Sequence, residues 1–131
     1  MLDTNIVLDI WLYQDAATPA LRQALENQQL CWIATQPMRE ELQRVLDYAH
    51  IAARRQQAQV SVEQFMACFD RHANIKNTAQ RAPYVCKDED DQKFIDLAVT
   101  HQATLLSKDK QVLKMTRRLA TLGVQVRTAW I

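Results

Sequence analysis

Four acidic residues, spread along the chain, have the chemistry to hold one metal ion together: Asp3, Glu41, Asp91 and Asp109. Carboxylates that are brought together without a cation repel each other, and at least one of them takes up a proton. A hard divalent ion such as Mg²⁺ or Mn²⁺ removes this cost and prefers oxygen ligands. Such an ion polarises a phosphoryl oxygen and activates water, which is what hydrolysis of a phosphodiester requires.

Two of these acids directly follow predicted strands. Asp3 comes after the short apolar segment Met1-Leu2, and Asp109 lies just past a predicted strand at 103–106. In an open parallel sheet, ligands bind beyond the carboxyl ends of the strands. We therefore expect both side chains at the same edge of the sheet.

The other two acids belong to predicted helices, and their angular positions direct them inward. In the helix that starts at Gln36-Pro37, Glu41 lies roughly 80° from the apolar direction, whereas Glu40 lies nearly opposite it. Asp91 opens its helix in register with the apolar face, and Asp96 of the same helix points away from that face. We therefore expect Glu41 and Asp91 to reach the edge that carries Asp3 and Asp109.

The elements that must position these acids alternate between strand and helix. This order predicts an α/β fold, a three-layer sandwich with a central parallel sheet of four to five strands. The predicted elements are helices from Pro19, from Gln36-Pro37 through Ala49, at 61–72, at the segment opened by Asp91 and at 110–122, with strands at 31–35, 84–86, 103–106 and 124–130. The polar segment at 54–59 leads to the helix at 61–72, the segment at 73–83 is expected to be an irregular, mobile loop, and Gly123 should end the last helix.

Composition narrows the class of protein. The length of 131 residues and a hydrophobic content of 48% fit a single domain, 1–131, with a packed core. The net charge of +1 implies that any contact with nucleic acid comes from a local basic patch. No stretch approaches 18 apolar residues, the N-terminus lacks the basic head of a signal peptide, and three cysteines form no metal-binding spacing. We expect a cytoplasmic protein with free thiols and no membrane association.

The acidic residues also carry a resemblance to a known family. Asp3-Thr4-Asn5, Glu41-Leu42-x-x-Val45-Leu46, Asp91-x-x-Phe94 and Leu105-Leu106-Ser107-x-Asp109 together resemble the PIN-domain signature in order and separation. The resemblance covers nearly the whole chain. It is greatest to the bacterial branch of toxins of toxin-antitoxin pairs, on the segment from Cys86 to Phe94.

The resemblance implies a PIN-like fold and a Mg²⁺- or Mn²⁺-dependent endoribonuclease that prefers single-stranded RNA. Asp3, Glu41, Asp91 and Asp109 would then be metal ligands or water activators. Thr4, Asn5 and Ser107 would orient them through hydrogen bonds. A homodimer and an antitoxin protein that blocks the site are the partners that the family implies.

Basic residues near the proposed ligands are candidates for the substrate phosphate. Arg44 and Lys108 are close to the acids in sequence, and a charge-assisted hydrogen bond from either would hold a phosphate oxygen. The basic face of the helix predicted at 110–122 is more simply a solvated surface. Trp11, Trp32 and Trp130 are interpreted as core or interface anchors.

Other interpretations stay open from the residues alone. Each acid taken singly fits a turn, a helix terminus or a helix flank. A phosphoaspartyl receiver domain also groups acids at strand ends, but here no Asp-bearing central strand falls between Asp3 and Asp91. A PIN-like fold without catalysis, serving RNA binding or protein interaction, is the main alternative. Two features support this alternative: the first predicted strand is short, and Gln111 stands where the family often has another acidic residue.

Overall fold

A computed structural model describes residues 1–14 and 18–130. Helices dominate, and they are connected by short parallel strands. In chain order the elements are α1 Thr4–Trp11, α2 Pro19–Glu26, β1 Trp32–Thr35, α3 Gln36–Leu46, α4 Ala49–Ala58, α5 Val62–His72, β2 Ala73–Lys76, a 3₁₀ turn at Glu89–Asp91, α6 Gln92–His101, β3 Leu105–Leu106, α7 Lys110–Leu113, α8 Thr116–Ala120 and β4 Val126–Arg127.

The strands form two parallel pairs. β1 pairs with β2 over four residues, and β3 pairs with β4 over two. Leu2 adds a parallel bridge to Leu106, through Leu106 N donating to Met1 O and Asp3 N donating to Leu106 O, both at 3.0 Å. The expected α/β class with parallel strands is confirmed. In the described residues, however, the hydrogen bonds define two short pairs and a bridge, and they do not show one sheet of four to five strands.

The core lies between these strands and the helices around them. All four residues of β1 are buried, as expected of a strand covered on both faces. The Trp11 and Trp32 rings stack at 5.4 Å between centroids, and Phe69 meets Trp32 edge-on at 4.9 Å. The interpretation of these two tryptophans as core anchors is thus confirmed. Cys31, Cys68 and Cys86 are free thiols, as expected.

The helix predicted from Gln36 through Ala49 is two helices. α3 ends at Leu46, and α4 begins at Ala49 after Tyr48, whose backbone is extended. Most of the polar segment 54–59 belongs to α4, which extends to Ala58. Arg55 holds the corner: its Nε donates to Leu46 O at 2.9 Å and its Nη1 to Val60 O at 3.3 Å. These bonds satisfy a carbonyl that the end of α3 leaves without a helical partner.

The loop predicted at 73–83 begins with a strand, so that expectation was wrong for its first four residues. β2 was missed because its apolar–polar alternation spans only four mostly exposed residues, while its backbone pairs with buried β1. Asn74 reinforces the pairing by donating from Nδ2 to Trp32 O at 3.2 Å. The strand predicted at 84–86 is not formed. There the backbone is held by Gln92, whose Oε1 accepts from Cys86 N and whose Nε2 donates to Tyr84 O.

The C-terminal elements are shorter than predicted. The helix expected at 110–122 is divided into α7 and α8, with Lys114 and Met115 between them. Gly123 follows with φ +80°, the left-handed conformation expected where a helix ends. Of the strand predicted at 124–130, β4 forms only Val126–Arg127. None of the helices in the described ranges is long and apolar enough to cross a bilayer.

Candidate metal centre

The four predicted acids line one cleft, with a volume of about 330 Å³. They arrive from different elements: Asp3 precedes α1, Glu41 belongs to α3, Asp91 ends the 3₁₀ turn, and Asp109 precedes α7. The structure thus brings together all four residues selected from the sequence. The other residues that line the cleft are Thr4, Asn5, Leu8, Val45, Tyr48, His50, Ile51, Asp88 and Asp90.

Asp3 is held in place through Ser107. Its side chain is buried, and Ser107 Oγ donates to Asp3 Oδ2 at 2.7 Å. Ser107 is itself fully buried and accepts from Asp109 N at 3.1 Å. One hydroxyl therefore connects the carboxylate that follows the Leu2 bridge with the backbone that follows β3. This is the orienting position that the sequence analysis expected for Ser107.

Asp109 also serves as an ordinary helix cap. Its Oδ1 accepts from Gln111 N at 2.8 Å at the start of α7. Asp88 plays the same part for the 3₁₀ turn, where its Oδ1 accepts from Asp90 N at 3.0 Å. The capping interpretation of Asp109 is therefore correct, and it coexists with a place in the cleft because each carboxylate has a second oxygen.

Asp88, Asp91 and Asp109 form the tightest group of acids. Each offers one carboxylate oxygen, and these three atoms all lie within 4.8 Å of one another. Asp91 is only 8% exposed, and its Oδ2 has no hydrogen-bond partner among the described residues. Burial, with the negative charges of Asp3 and Asp109, raises the pKa of Asp91 to about 7. Without a cation, the site therefore holds a proton on Asp91 at neutral pH or below.

The electrostatic strain extends to Asp3. Its burial, together with the charges of Asp109 and Glu41, raises the pKa of Asp3, and the hydrogen bond from Ser107 opposes that rise. Two neighbouring acids are thus shifted in the direction that disfavours their charged forms. A cation placed among them would reverse this preference.

Glu41 has two partners at the edge of the cleft. Thr4 Oγ1 donates to Glu41 Oε2 at 3.0 Å, which matches the orienting role expected of Thr4. Lys93 Nζ lies 3.3 Å from the same oxygen, and both side chains are mostly buried. Glu40 is exposed, as its helical position predicted. Asn5, the third residue expected to orient the acids, is exposed on the cleft wall.

Neither basic residue expected to hold the substrate lines the cleft. Lys108 Nζ pairs with Asp9 Oδ2 at 2.8 Å, and Arg44 is exposed on α3. Both are close to the acids in sequence, but neither side chain is among those that line the cleft. Among residues 1–14 and 18–130, the basic side chain that pairs with one of the four acids is Lys93 of α6.

Sequence reasoning also missed several residues of the site. Asp88 was not among the four acids selected from the sequence, although it belongs to the tightest group. Tyr48 and His50 were not selected, because the corner between α3 and α4 was not predicted. Asp96 does not line the cleft; its Oδ1 accepts from Ala82 N and Gln92 Nε2, both at 2.8 Å. That pair of bonds ties the preceding loop to α6, so Asp96 has a structural part.

The donor set fits a hard divalent cation. All candidate ligands are carboxylate oxygens, which Mg²⁺ and Mn²⁺ prefer, and no thiol or imidazole competes within the acidic group. The unpartnered Oδ2 of Asp91 supplies an acceptor that no described residue satisfies. Buried polar atoms rarely lack a hydrogen-bond partner, so we expect this oxygen to bind a ligand.

Comparison with known families agrees with this geometry. The model of the PIN domain matches residues 1–111, and the chain belongs to the PIN-domain family. PIN domains are generally metal-dependent nucleases, so the chain is placed in a class of hydrolases that use acidic residues to bind divalent ions. No curated protein and no solved structure matches the chain significantly.

Proposed function

We propose that residues 1–131 form one nuclease domain that hydrolyses phosphodiester bonds in single-stranded RNA with the help of Mg²⁺ or Mn²⁺. The observation that carries the proposal is the buried, unpartnered Oδ2 of Asp91 beside Asp88 and Asp109. A carboxylate in that position is costly on its own and favourable beside a divalent cation.

Asp91 and Asp109 would hold the ion, with Asp88 and Asp3 completing its carboxylate surroundings. When bound, the ion would supply charge neutralisation at the phosphate and a more acidic water. Ser107 keeps Asp3 oriented, and Thr4 keeps Glu41 oriented at the edge. Glu41 is then placed to accept a proton from the attacking water. Lys93, 3.3 Å from Glu41, offers a positive charge to a phosphate oxygen.

The test is cleavage of a labelled single-stranded RNA with Mn²⁺, with Mg²⁺ and with EDTA. Glu41→Gln should lower kcat by at least about a hundredfold, as expected for loss of a proton acceptor. Glu40→Gln is the matched control, since its side chain is exposed on the neighbouring position. Cleavage that persists in EDTA, or that responds equally to both substitutions, would contradict the proposal. A protein that binds RNA and Mn²⁺ without cleaving would instead be the non-catalytic alternative.

The sugar preference is tested in the same assay. Single-stranded DNA of identical sequence should be cut more slowly than RNA if the substrate class is correct. Equal rates would leave a metal-dependent nuclease but would remove the RNA assignment. Duplex RNA supplies the comparison for strand state.

We also propose that the nuclease is cytoplasmic and acts as the toxin of a toxin-antitoxin pair, with an antitoxin protein covering the cleft. The support is the resemblance of the segment from Cys86 to Phe94 to that branch of the family. Induced expression of wild type should arrest bacterial growth, and Asp91→Asn should not. Growth arrest by both proteins, or by neither, would contradict the toxin assignment.

A homodimer is proposed on the same resemblance. An apolar groove of about 290 Å³, lined in part by Leu21, Leu25, Leu30 and Trp130, offers a surface that a second copy would cover. Sedimentation of wild type and Trp130→Glu tests this: a dimer that the substitution dissociates supports the interface. A wild-type monomer at high concentration would exclude it.

A further inference from the structure

The cleft has two chemically different sides. The 3₁₀ turn and the approach to α7 contribute aspartates, whereas the end of α3 and the start of α4 contribute Val45, Tyr48, His50 and Ile51. One side is suited to a cation and the phosphate it binds. The other side offers apolar and aromatic surface that neither a phosphate nor a metal ion needs.

Tyr48 is the most exposed large hydrophobic residue among those that line this cleft. Its side chain is 53% exposed, and within the described part of the chain no aromatic or cation–π contact involves its ring. Tyr13, which is 38% exposed, has Arg54 above its ring at 5.9 Å. A large aromatic side chain that stays exposed beside a candidate active site is typical of a binding surface.

Tyr48 also stands in a defined relation to the acids. Glu41 and Val45 lie one turn apart on α3, and Tyr48 follows the end of that helix at Leu46. All three line the same cleft. Arg55 holds this corner by donating to Leu46 O and Val60 O, so Tyr48 projects from a braced turn.

We propose that Tyr48 stacks on an unpaired nucleobase next to the phosphodiester that the acidic side of the cleft cleaves. The inference rests on the proposed nuclease function and names how its substrate is recognised. With a cation bound, the acidic side holds the phosphate, and the base beside that phosphate remains available for a second contact. That contact adds binding energy, since every base has a face that stacks on an aromatic ring.

Stacking on Tyr48 would also account for the proposed preference for single strands. Bases in a duplex are already stacked and paired, whereas those of a single strand can turn toward a protein side chain. His50, exposed on the same wall, offers a second ring edge beside Tyr48. The selectivity expected of Tyr48 is therefore for strand state, with little dependence on base identity.

The experiment measures kcat and KM on a short single-stranded RNA with Mn²⁺, and the binding of the same labelled RNA by fluorescence anisotropy. Tyr48→Ala should raise KM and Kd about five- to hundredfold, with kcat much less affected. Tyr48→Phe should retain wild-type values, because the ring face is kept. Tyr13→Ala is the matched control, and melting temperatures verify that each variant is folded.

Substrates with one abasic nucleotide identify the partner of the ring. Moving the abasic position along the strand should find one position, adjacent to the cleaved bond, where wild type loses as much affinity as Tyr48→Ala loses on intact RNA. At that position Tyr48→Ala should cause no further loss of affinity, as expected if the missing base and the Tyr48 ring are the two partners of one contact. If Tyr48→Ala binds intact RNA like wild type, or if its penalty is the same on every abasic substrate, the stacking inference is wrong while cleavage stands. If wild type with Mn²⁺ neither cleaves nor binds the RNA, the proposed function and this inference both fail.

Discussion

At the scale of single residues, Asp91 determines the character of the site. It is buried, one of its oxygens has no partner among the described residues, and its pKa is raised to about 7 by burial and by the surrounding acids. Packing in a purely structural core would favour an apolar residue at this position. An acid retained against that cost is a common sign of a functional site.

The raised pKa predicts how the stability of the metal-free protein depends on pH. The carboxyl of an unfolded Asp loses its proton near 3.9, and that of folded Asp91 near 7. Between these values the folded state binds more protons, so the free energy of unfolding should fall as the pH rises. The expected fall is roughly 2 to 4 kcal/mol, at about 1.4 kcal/mol for each pKa unit.

Urea unfolding in EDTA at several pH values between 4 and 8 measures this effect. Asp91→Asn should flatten most of the slope and should be the more stable protein at pH 8. Glu89→Gln removes an exposed neighbouring acid and should leave the slope nearly unchanged. A metal-free protein whose stability rises through this range would show that Asp91 is not the proton-binding group of the site.

Ser107 is predicted to control the metal site without binding the metal. Ser107→Ala removes the donor to Asp3 Oδ2 and the acceptor for Asp109 N. Loss of such an orienting bond typically weakens metal affinity about ten- to hundredfold. Ser61→Ala is the control, because it removes the cap of α5 outside the cleft and should cost only about 1 kcal/mol of stability. Calorimetric titration with Mn²⁺ compares them, and equal affinities in the two variants would refute the role of Ser107.

At the scale of elements, the corner between α3 and α4 positions one side of the cleft. Arg55 makes two hydrogen bonds to backbone carbonyls there and lies 3.6 Å from Asp47 Oδ1. Its side chain is only 13% exposed, so these contacts are partly protected from water. The corner therefore depends on a charged residue far from the acids in sequence.

Arg55→Met is predicted to lower the free energy of unfolding by about 1 to 3 kcal/mol, the usual worth of hydrogen bonds that involve a charged group. It should also raise KM for RNA, since Tyr48 and His50 project from the loosened turn. Arg54→Met, the neighbouring substitution, removes a contact with the Tyr13 ring and should cost less than about 1 kcal/mol. Chemical denaturation and the cleavage assay give both values. An Arg55→Met protein with unchanged stability and KM would show that the corner between α3 and α4 keeps its conformation without Arg55.

Elements with strong local signals could be predicted from the sequence. β1 is short and fully buried, α5 begins with a Ser61–Gln64 capping box, and Gly123 takes a left-handed conformation shortly after the last helix. The break after Leu46 could not, because no Gly or Pro interrupts that segment and the stop is made by Arg55, nine residues later. β2 could not either, since its pairing with β1 is a backbone contact between distant segments.

The same distinction applies to the site. The four acids were found because each occupies a strand end or an inward helical position, and these positions follow from periodicity. Their convergence in one cleft is confirmed, while their part in metal binding stays a prediction. Lys93 was missed because its contact with Glu41 joins α6 to α3, and neither segment carries a local sequence signal for a contact between the two helices. Arg44 and Lys108 were selected because they are close to the acids in sequence, but closeness in sequence does not determine where a side chain on a helix or turn points.

At the scale of the whole molecule, the charge is nearly balanced but unevenly placed. The net charge is +1, whereas the cleft gathers six carboxylates: Asp3, Glu41, Asp88, Asp90, Asp91 and Asp109. A polyanionic substrate is therefore repelled from the cleft of the metal-free protein and accepted only after a cation is bound. Metal binding comes first in this account, and substrate binding depends on it.

The most direct test of this account is a thermal melt at pH 8 with EDTA and with increasing Mn²⁺, on wild type and on Asp91→Asn. A ligand that binds only the folded state raises its stability, and an excess of about a hundredfold over the dissociation constant adds about 2.7 kcal/mol. Wild type should therefore gain roughly 5 to 10 °C in melting temperature. Asp91→Asn should melt higher than wild type in EDTA and should gain almost nothing from Mn²⁺. An equal gain in both proteins, or no gain in wild type at millimolar Mn²⁺, would contradict the assignment of the metal to these carboxylates.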